Sequence, residues 1–283
     1  MPEFDPSKYR GMSMDDVLGI ADRSVAAGAS SLEEARAIYK LCLEQNIGIY
    51  HKGVILQKLW DAECKLGLHP LFQSQAGQDF FLHRHFFTGK KDGVFVEIGG
   101  YNGWQGSNCF FFEKTQNWTG LIVEASPTFV RQISDTRTAP VVHAAVSDED
   151  GTAEFLEVTS GFMQMSGLTG HFTSRNFDFL RRDSRHTERK VVVPTVRLDT
   201  LLEKHGIGNV DYCSIDVEGA ERSILSALDF DLVDISVLSV ENNSYSEAGS
   251  YVDILEPAGF RLVVVLGSDE IWAKAALADA AGL

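Results

Sequence analysis

The stretch "VFVEIGGYNGWQGSN", residues 94–108, decides the fold. It begins as an apolar run and changes abruptly into glycine and small polar residues, so it reads as a buried strand followed by a tight turn. An acid, Glu97, stands near the end of the strand, and Gly99 and Gly103 follow where a backbone must turn sharply and approach a ligand closely. Glu97, Gly99, Gly100, Tyr101 and Gly103 together resemble a nucleotide-type cradle. A dinucleotide fingerprint would need glycines at 99, 101 and 104, where this chain has Gly99, Tyr101 and Trp104. Glu97 would also crowd a pyrophosphate with negative charge. Both points count against a nicotinamide-dependent oxidoreductase and favour a positively charged ligand, such as a sulfonium that also carries an ammonium group.

Outward from this stretch the chain alternates strand and helix patterns. "GLIVEA" is a second strand ending in Glu124, twenty-one residues past Gly103, about the interval at which an acid meets ribose hydroxyls; Ala125 and Ser126 follow it. "VVHAAV" is a third strand, and the turn at Ala145 and Val146 should offer backbone groups to an adenine edge. "VDYCSID", "VDISVLSVE" and "RLVVVL" continue the series, with helical segments such as "GAERSILSALDF" between them, which predicts an α/β fold around a mostly parallel sheet. "RLVVVLGSDEIWA" puts a Gly-Ser-Asp turn between two extended runs and predicts a terminal antiparallel hairpin.

Residues 1–68 read instead as a helical extension. Ser13 with Asp16, and Ser31 with Glu34, are capping patterns; Gly28 falls where the first helix would end; Ala35, Ile38, Tyr39 and Cys42 share one face of the second; a third covers about residues 49–66. These helices are a candidate homo-oligomer contact. Residues 69–283 form the ligand-binding domain, interrupted at about 159–190 by a Ser-, Gly-, Arg- and Phe-rich segment without sustained period, expected to be an irregular lid.

Twenty-five Lys and Arg against forty Asp and Glu give a formal charge of -15, which disfavours nucleic acid and anionic membrane surfaces and points to a small-molecule partner. The four cysteines form no CxxC pair, and the start shows no signal pattern, so the expected setting is the reducing cytoplasm.

The acids "DVEGAE" bracket the end of the fourth strand, with Asp216 first and Glu218 second as candidates for acceptor positioning or proton removal, and "VENNS" brings Glu241, Asn242 and Asn243 to the same edge. Asp216, Glu241 and Asn242 are similar to the acid, acid, asparagine set that binds magnesium in catechol-type O-methyltransferases. His171 could act as a base if the lid closes, although an exposed loop histidine is the simpler reading. His83 and His85, two apart on a helix, read as structural. Arg181, Arg182, Arg185, Arg189 and Lys190 read as a solvated run, or alternatively as a recognition surface for an anionic acceptor.

In the order "SQAGQDFFL", "GVFVEIGGYNGWQGSN", "WTGLIVEASP", "AAVSDEDGTAEF", "VPTVRLDTLL", "DYCSIDVEGAERSIL", the chain resembles the FkbM-type S-adenosylmethionine-dependent methyltransferases. The likeness covers about residues 74–241 and leaves out the first 65. It implies a class I methyltransferase fold, Rossmann-like, with seven strands and the last antiparallel. It also implies that Glu97, Gly99, Asn108, Glu124 and Asp216 surround S-adenosylmethionine and that Ser74, Gln75 and Asp79 lie near its amino-acid end. Asn108 is read with equal weight as a helix cap. The expected activity is O-methylation of a sugar or secondary-metabolite hydroxyl, the alternative being a non-catalytic cofactor-binding assembly protein.

Overall fold

A computed structural model describes residues 4–45, 47–242 and 251–283. Three helices come first: α1 (Met14–Ala26), α2 (Leu32–Leu43) and α3 (Ile49–Lys65). Ser13 caps α1 by accepting from the Asp16 backbone N–H at 3.2 Å, and Gly28 follows its end at φ 101°, a conformation that favours glycine. Ser31 differs from the capping expectation. It closes a short 3-10 turn with helical dihedrals, and its side chain makes no capping bond, because a capping oxygen reaches the helix start only from an extended backbone. Val17, Ala21, Ala35, Ile38, Tyr39, Cys42, Ile55 and Ala62 pack together as the helices' own core.

The strands are β1 (Val94–Ile98), β2 (Thr119–Glu124), β3 (Val141–His143), β4 (Ala145–Val146), β5 (Gly151–Ser160), β6 (Gly167–Leu168), β7 (Thr187–Val196), β8 (Asn209–Ile215), β9 (Asp234–Glu241), β10 (Phe260–Leu266) and β11 (Asp269–Lys274). The main sheet has seven strands in the order β10-β11-β9-β8-β1-β2-β3, and only β11 runs against its neighbours. This is the mostly parallel sheet with a terminal hairpin that the apolar runs predict. The hairpin turn is tighter than read, since Gly267 and Ser268 alone connect the strands and Asp269 already pairs with Glu241.

α4 (Gln78–His85) precedes β1, α5 (Phe110–Gln116), α6 (Pro127–Thr136), α7 (Ser174–Leu180), α8 (Leu198–Lys204), α9 (Glu221–Ala227) and α10 (Val252–Leu255) lie between strands, and α11 (Ala275–Ala280) follows β11. Alternate residues of the central strands serve two cores. Val96, Ile98, Leu121 and Val123 meet Leu202 and Ile224 of α8 and α9 on one face, while Phe95 and Ile122 meet Leu82, Phe112 and Ile133 of α4, α5 and α6 on the other. Covering both faces removes any solvated side, which is why these strands read as unbroken apolar runs.

Two expectations need correction. The run "VVHAAV" is not one strand: β3 belongs to the main sheet and β4, after Ala144, to a second sheet of order β4-β7-β5-β6. The segment 159–190 is not irregular throughout. Residues 187–190 open β7, which pairs with β5 over almost its whole length, and the excursion between them carries β6 and α7.

Helix α3 docks on β10 at a glycine. A Cβ on Gly53 would lie 1.8 Å from the Val265 carbonyl oxygen, so only glycine admits this crossing. Gly53→Ala is expected to cost about 1–3 kcal/mol through overpacking. Gly19→Ala, whose Cβ would meet only an Arg23 side-chain nitrogen at 3.4 Å, should be neutral or gain up to about 1 kcal/mol. Urea denaturation of the two variants checks this contrast, and equal stabilities would contradict the docking.

Candidate functional site

A cavity of about 1220 Å³ opens at the carboxyl ends of β1, β2, β8 and β9, where an open α/β sheet binds its ligands. Of the residues singled out by sequence, Gln75, Glu97, Gly99, Gly100, Tyr101, Asn108, Glu124, Ala125, Ala145, Val146, His171, Asp216, Glu218 and Glu241 line it. Ser74, Asp79, Gly103, Ser126 and Asn242 are not among its lining residues.

Those outside the lining have other work. Asp79 is buried and accepts from the backbone N–H groups of Gln73, Ser74 and Phe80 and from the Ser74 hydroxyl, so the pair fixes the turn that presents Gln75. Burial pushes the Asp79 carboxyl up to about 6 against the pull of these bonds. Ser126 caps α6 through the Phe129 N–H and donates to Glu157.

The glycines pack protein on protein. A Cβ on Gly99 would fall 1.8 Å from the Asp216 carbonyl oxygen, one on Gly100 2.5 Å from Ile122, and one on Gly103 2.5 Å from the Thr136 hydroxyl. They let the turn lie against β8 and α6, rather than simply clearing space for a ligand. Gly99 also sits at φ 87°.

Glu97 lines the cavity, yet its charge is not free. Its Oε2 pairs with Arg137 Nη1 at 2.7 Å, and its Oε1 accepts from the Ser107 hydroxyl at 2.6 Å and the Cys109 N–H at 3.3 Å. Arg137 is fully buried, also pairs with Glu113 and donates to the Gly103 carbonyl at 3.0 Å. The direct charge argument for a cation at Glu97 is therefore corrected: this carboxylate organises the turn at 103–109 around Arg137.

Glu124 is different. It accepts from the Tyr101 N–H at 2.9 Å and the Ser126 N–H at 2.7 Å, neither of them a cation. Burial raises its carboxyl to about 7, although the backbone N–H groups pull the other way. The bond to Tyr101 holds a non-glycine residue at φ 45°, a strained backbone directly on the cavity.

Asn108 donates its amide hydrogens to Ser214 Oγ at 3.0 Å and Asp269 Oδ2 at 3.3 Å. A carboxylate accepts only, so this contact fixes the amide orientation and leaves Oδ1 as a buried acceptor without a partner. Asn108 thus presents an acceptor suited to an ammonium, and the N-cap of α5 is its neighbour Cys109.

Asp216, Glu218 and Glu241 can each bring a carboxylate oxygen within 4.8 Å of the others. Desolvation, then the charges of Asp269 and Glu221, raise Asp216 to about 7; desolvation, then Asp216, drive Glu241 well upward. Like charges this close cannot all ionise, so the group retains a proton near neutrality. Glu218 stands at φ 62° beside Gly219, and Glu221 secures this loop by accepting from the Val217 and Gly219 N–H groups. Asn242 donates to Glu270 at 2.7 Å; Asn243 lies outside the described residues.

The excursion closes on this loop. A Cβ on Gly219 would lie 3.2 Å from the His171 carbonyl oxygen, and one on Gly167 3.3 Å from that of Val217. The basic run faces elsewhere: Arg185 pairs with Asp183, Arg189 with Glu157 and Lys190 with Glu154, Arg181 lies over the Phe177 ring, and none of them lines the cavity. His83 and His85 pack against Phe111 and Phe81 in the aromatic core.

Sequence reasoning missed Asp269, Ser214 and Gln78 in the floor, Phe155 and Leu168 in the wall, and Tyr50, Gly53, Val54 and Gln57 from α3. An acid opening a buried hairpin strand was the available signal for Asp269; nothing local pointed to α3.

Sheet order, antiparallel last strand and an acidic cavity at the strand ends define a class I methyltransferase fold. The methyltransferase FkbM domain model matches residues 97–262, more than half of the chain. The chain belongs to this family and is an S-adenosylmethionine-dependent methyltransferase. No curated protein matches it in sequence. Among solved structures it is similar to a precorrin-6y C5,15-methyltransferase of Geobacter metallireducens at 12% identity, covering 71% of this chain and 88% of that one, with a TM-score of 0.38. Fibrillarin of Aeropyrum pernix with natively bound S-adenosyl-L-methionine is similar at 10% identity over 72% and 75% of the chains, TM-score 0.39. An FkbM methyltransferase of Methylobacillus flagellatus gives 11%, 85%, 60% and 0.39 in the same order. No described helix is long and apolar enough to cross a membrane.

Proposed function

We propose that this methyltransferase modifies a hydroxyl of an uncharged small acceptor, of the sugar or secondary-metabolite type. The observation that carries the reading is Asp216, a carboxyl poised at about 7 on the cavity floor beside Glu218 and Glu241. A hydroxyl is a weak nucleophile and needs a base near its proton, and a base works best when its pKa lies near the operating pH.

The cavity residues fit S-adenosylmethionine. Glu124 offers a carboxylate to ribose hydroxyls, Asn108 Oδ1 an unpartnered acceptor to the amino-acid end, Gln75 a neighbouring amide, and Ala145 and Val146 backbone to the adenine edge. The cofactor supplies an electrophilic methyl group on a sulfonium. The chain's own part is to hold the acceptor hydroxyl at Asp216, accept its proton there and keep bulk water away with the excursion at 161–186. Glu218 and His171 stand as the secondary positioning groups at the same loop.

Asp216, Glu218 and Glu241 would also be the ligands of a divalent cation such as magnesium, which would lower the hydroxyl's pKa as a Lewis acid. Transfer of labelled methyl to a panel of hydroxylated acceptors, with and without chelator, tests these points. O-methyl products formed regardless of chelator support Asp216 as the base. Loss on chelation assigns the role to a cation, methylation of amines alone contradicts the hydroxyl reading, and cofactor binding without any turnover favours an assembly role.

A further inference from the structure

One end of the cavity is closed by three parts of the chain that meet at Gly267, in the turn between β10 and β11. A Cβ on Gly267 would lie 3.0 Å from Ala76 Cβ, in the turn before α4, and 3.8 Å from the side-chain amide of Gln57 on α3. Glycines hold α3 against both partners: Gly53 lies on the Val265 carbonyl, and a Cβ on Gly77 would fall 2.8 Å from the Trp60 ring. Gln57, Gln75 and Asp269 line the cavity at this end. Asp269 opens β11, yet its carboxylate reaches back towards the middle of the sheet. Its Oδ2 accepts from Gln78 Nε2 at 3.1 Å, from Ser239 Oγ of β9 at 2.8 Å and from Asn108 Nδ2 at 3.3 Å, and that same Nδ2 donates to Ser214 of β8. Its Oδ1 accepts from the Ser268 hydroxyl at 3.4 Å. All of these donors are neutral, so Asp269 is a buried carboxylate whose hydrogen bonds bring it no counter-charge. The amide that bonds it also carries Asn108 Oδ1, the buried acceptor without a partner. A carboxylate and an unpartnered carbonyl oxygen side by side on a cavity wall suit a primary ammonium, whose three hydrogens need several acceptors.

We propose that Asp269 is the counter-charge of the ammonium group of S-adenosylmethionine, with Asn108 Oδ1 as the second acceptor, and that Gln57 of the N-terminal helices donates its amide hydrogens to the carboxylate of the same amino-acid end. The proposal rests on the cofactor reading and deepens it. Among the described residues no lysine or arginine lines the cavity, so a cofactor carboxylate must be met by neutral donors, and the amides of Gln57 and Gln75 stand at the closed end. Asp269 and Gln57 both lie outside the 97–262 family match, so flanking parts of the chain supply this end of the site.

The test titrates the full chain calorimetrically with S-adenosylhomocysteine, its deaminated analogue and its decarboxylated analogue. The parent should bind the deaminated compound about 10- to 100-fold more weakly than S-adenosylhomocysteine, and this comparison stands whether or not a variant folds. In Asp269→Asn the donors at Oδ2 keep the amide oxygen there and turn its NH2 towards the ammonium. S-adenosylhomocysteine should then lose about 10- to 100-fold in affinity, while the deaminated compound, an anion relieved of a like charge, should bind at least as well as it does to the parent. Gln57→Ala should weaken S-adenosylhomocysteine about 3- to 10-fold and leave the decarboxylated analogue within about twofold. Equal binding of S-adenosylhomocysteine and the deaminated compound by the parent would overturn the ammonium assignment. A parallel loss of both in Asp269→Asn would also overturn it and make Asp269 a structural residue, and equal effects of Gln57→Ala on the intact and decarboxylated compounds would overturn the part given to α3. Binding of none of the three compounds by the parent would instead sink the cofactor reading itself.

Discussion

Asp216→Asn is expected to lower kcat by about 10²–10⁴-fold, the range associated with losing a positioned general base. Asparagine keeps the shape and one acceptor oxygen but cannot take the acceptor's proton. Affinity for S-adenosylhomocysteine should change far less than turnover, because the proposed cofactor contacts, Glu124, Asn108 and Gln75, do not include Asp216. The pH profile supplies a second readout. Asp216 must be ionised to act as a base, and desolvation with the charges of Asp269 and Glu221 holds it at about 7. Turnover of the parent should therefore fall as pH drops through about 7, and the variant's residual rate should lose that step. Equal losses in turnover and cofactor affinity would make Asp216 a cofactor ligand instead.

Arg137→Met is expected to destabilise the fold by about 3–5 kcal/mol, because it strands the buried carboxylate of Glu97 without its counter-charge and leaves that of Glu113 with Lys114 at 3.1 Å as its remaining cation. Burial alone would raise Glu113, but Arg137 and the Thr138 bonds outweigh it and hold the group at about 2, below the ordinary 4.5. A carboxylate depressed in this way contributes stability that is present above its unfolded value and is lost as pH falls towards the folded one. In the variant Arg137's share of that contribution is lost, so the deficit should be largest at neutral pH and shrink between about 4.5 and 2. Urea unfolding across that range checks it. A deficit below about 1 kcal/mol, or one independent of pH, would mean that the two carboxylates find other partners.

Much of the sheet is legible in the sequence because it is covered on both faces: β1, β2, β8, β9 and β10 stand out as apolar runs, and Gly267-Ser268 marks the hairpin. What stays hidden is non-local. The β5–β7 ladder joins residues 151–160 to 187–196 across an excursion of mixed composition, and no local period announces such pairing. Gly53 reads as a weak helix residue until Val265 appears beneath it. The site shows the same division. Acids at strand ends can be placed from spacing, but the partner of each cannot: Glu97 meets Arg137 forty residues later, while Glu124 meets the backbone N–H of Tyr101. One carboxylate is thereby spent on structure and the other stays available, a distinction that residue type and position do not carry.

The central claim is that this cavity holds S-adenosylmethionine with Glu124 as its anchor, and calorimetry with S-adenosylhomocysteine on the parent and Glu124→Ala tests it most directly. The parent should bind, with affinity rising as pH passes about 7 and Glu124 ionises, and the variant should bind about 10- to 100-fold more weakly without that pH step. No binding by the parent, or equal binding by both proteins at every pH, would contradict it.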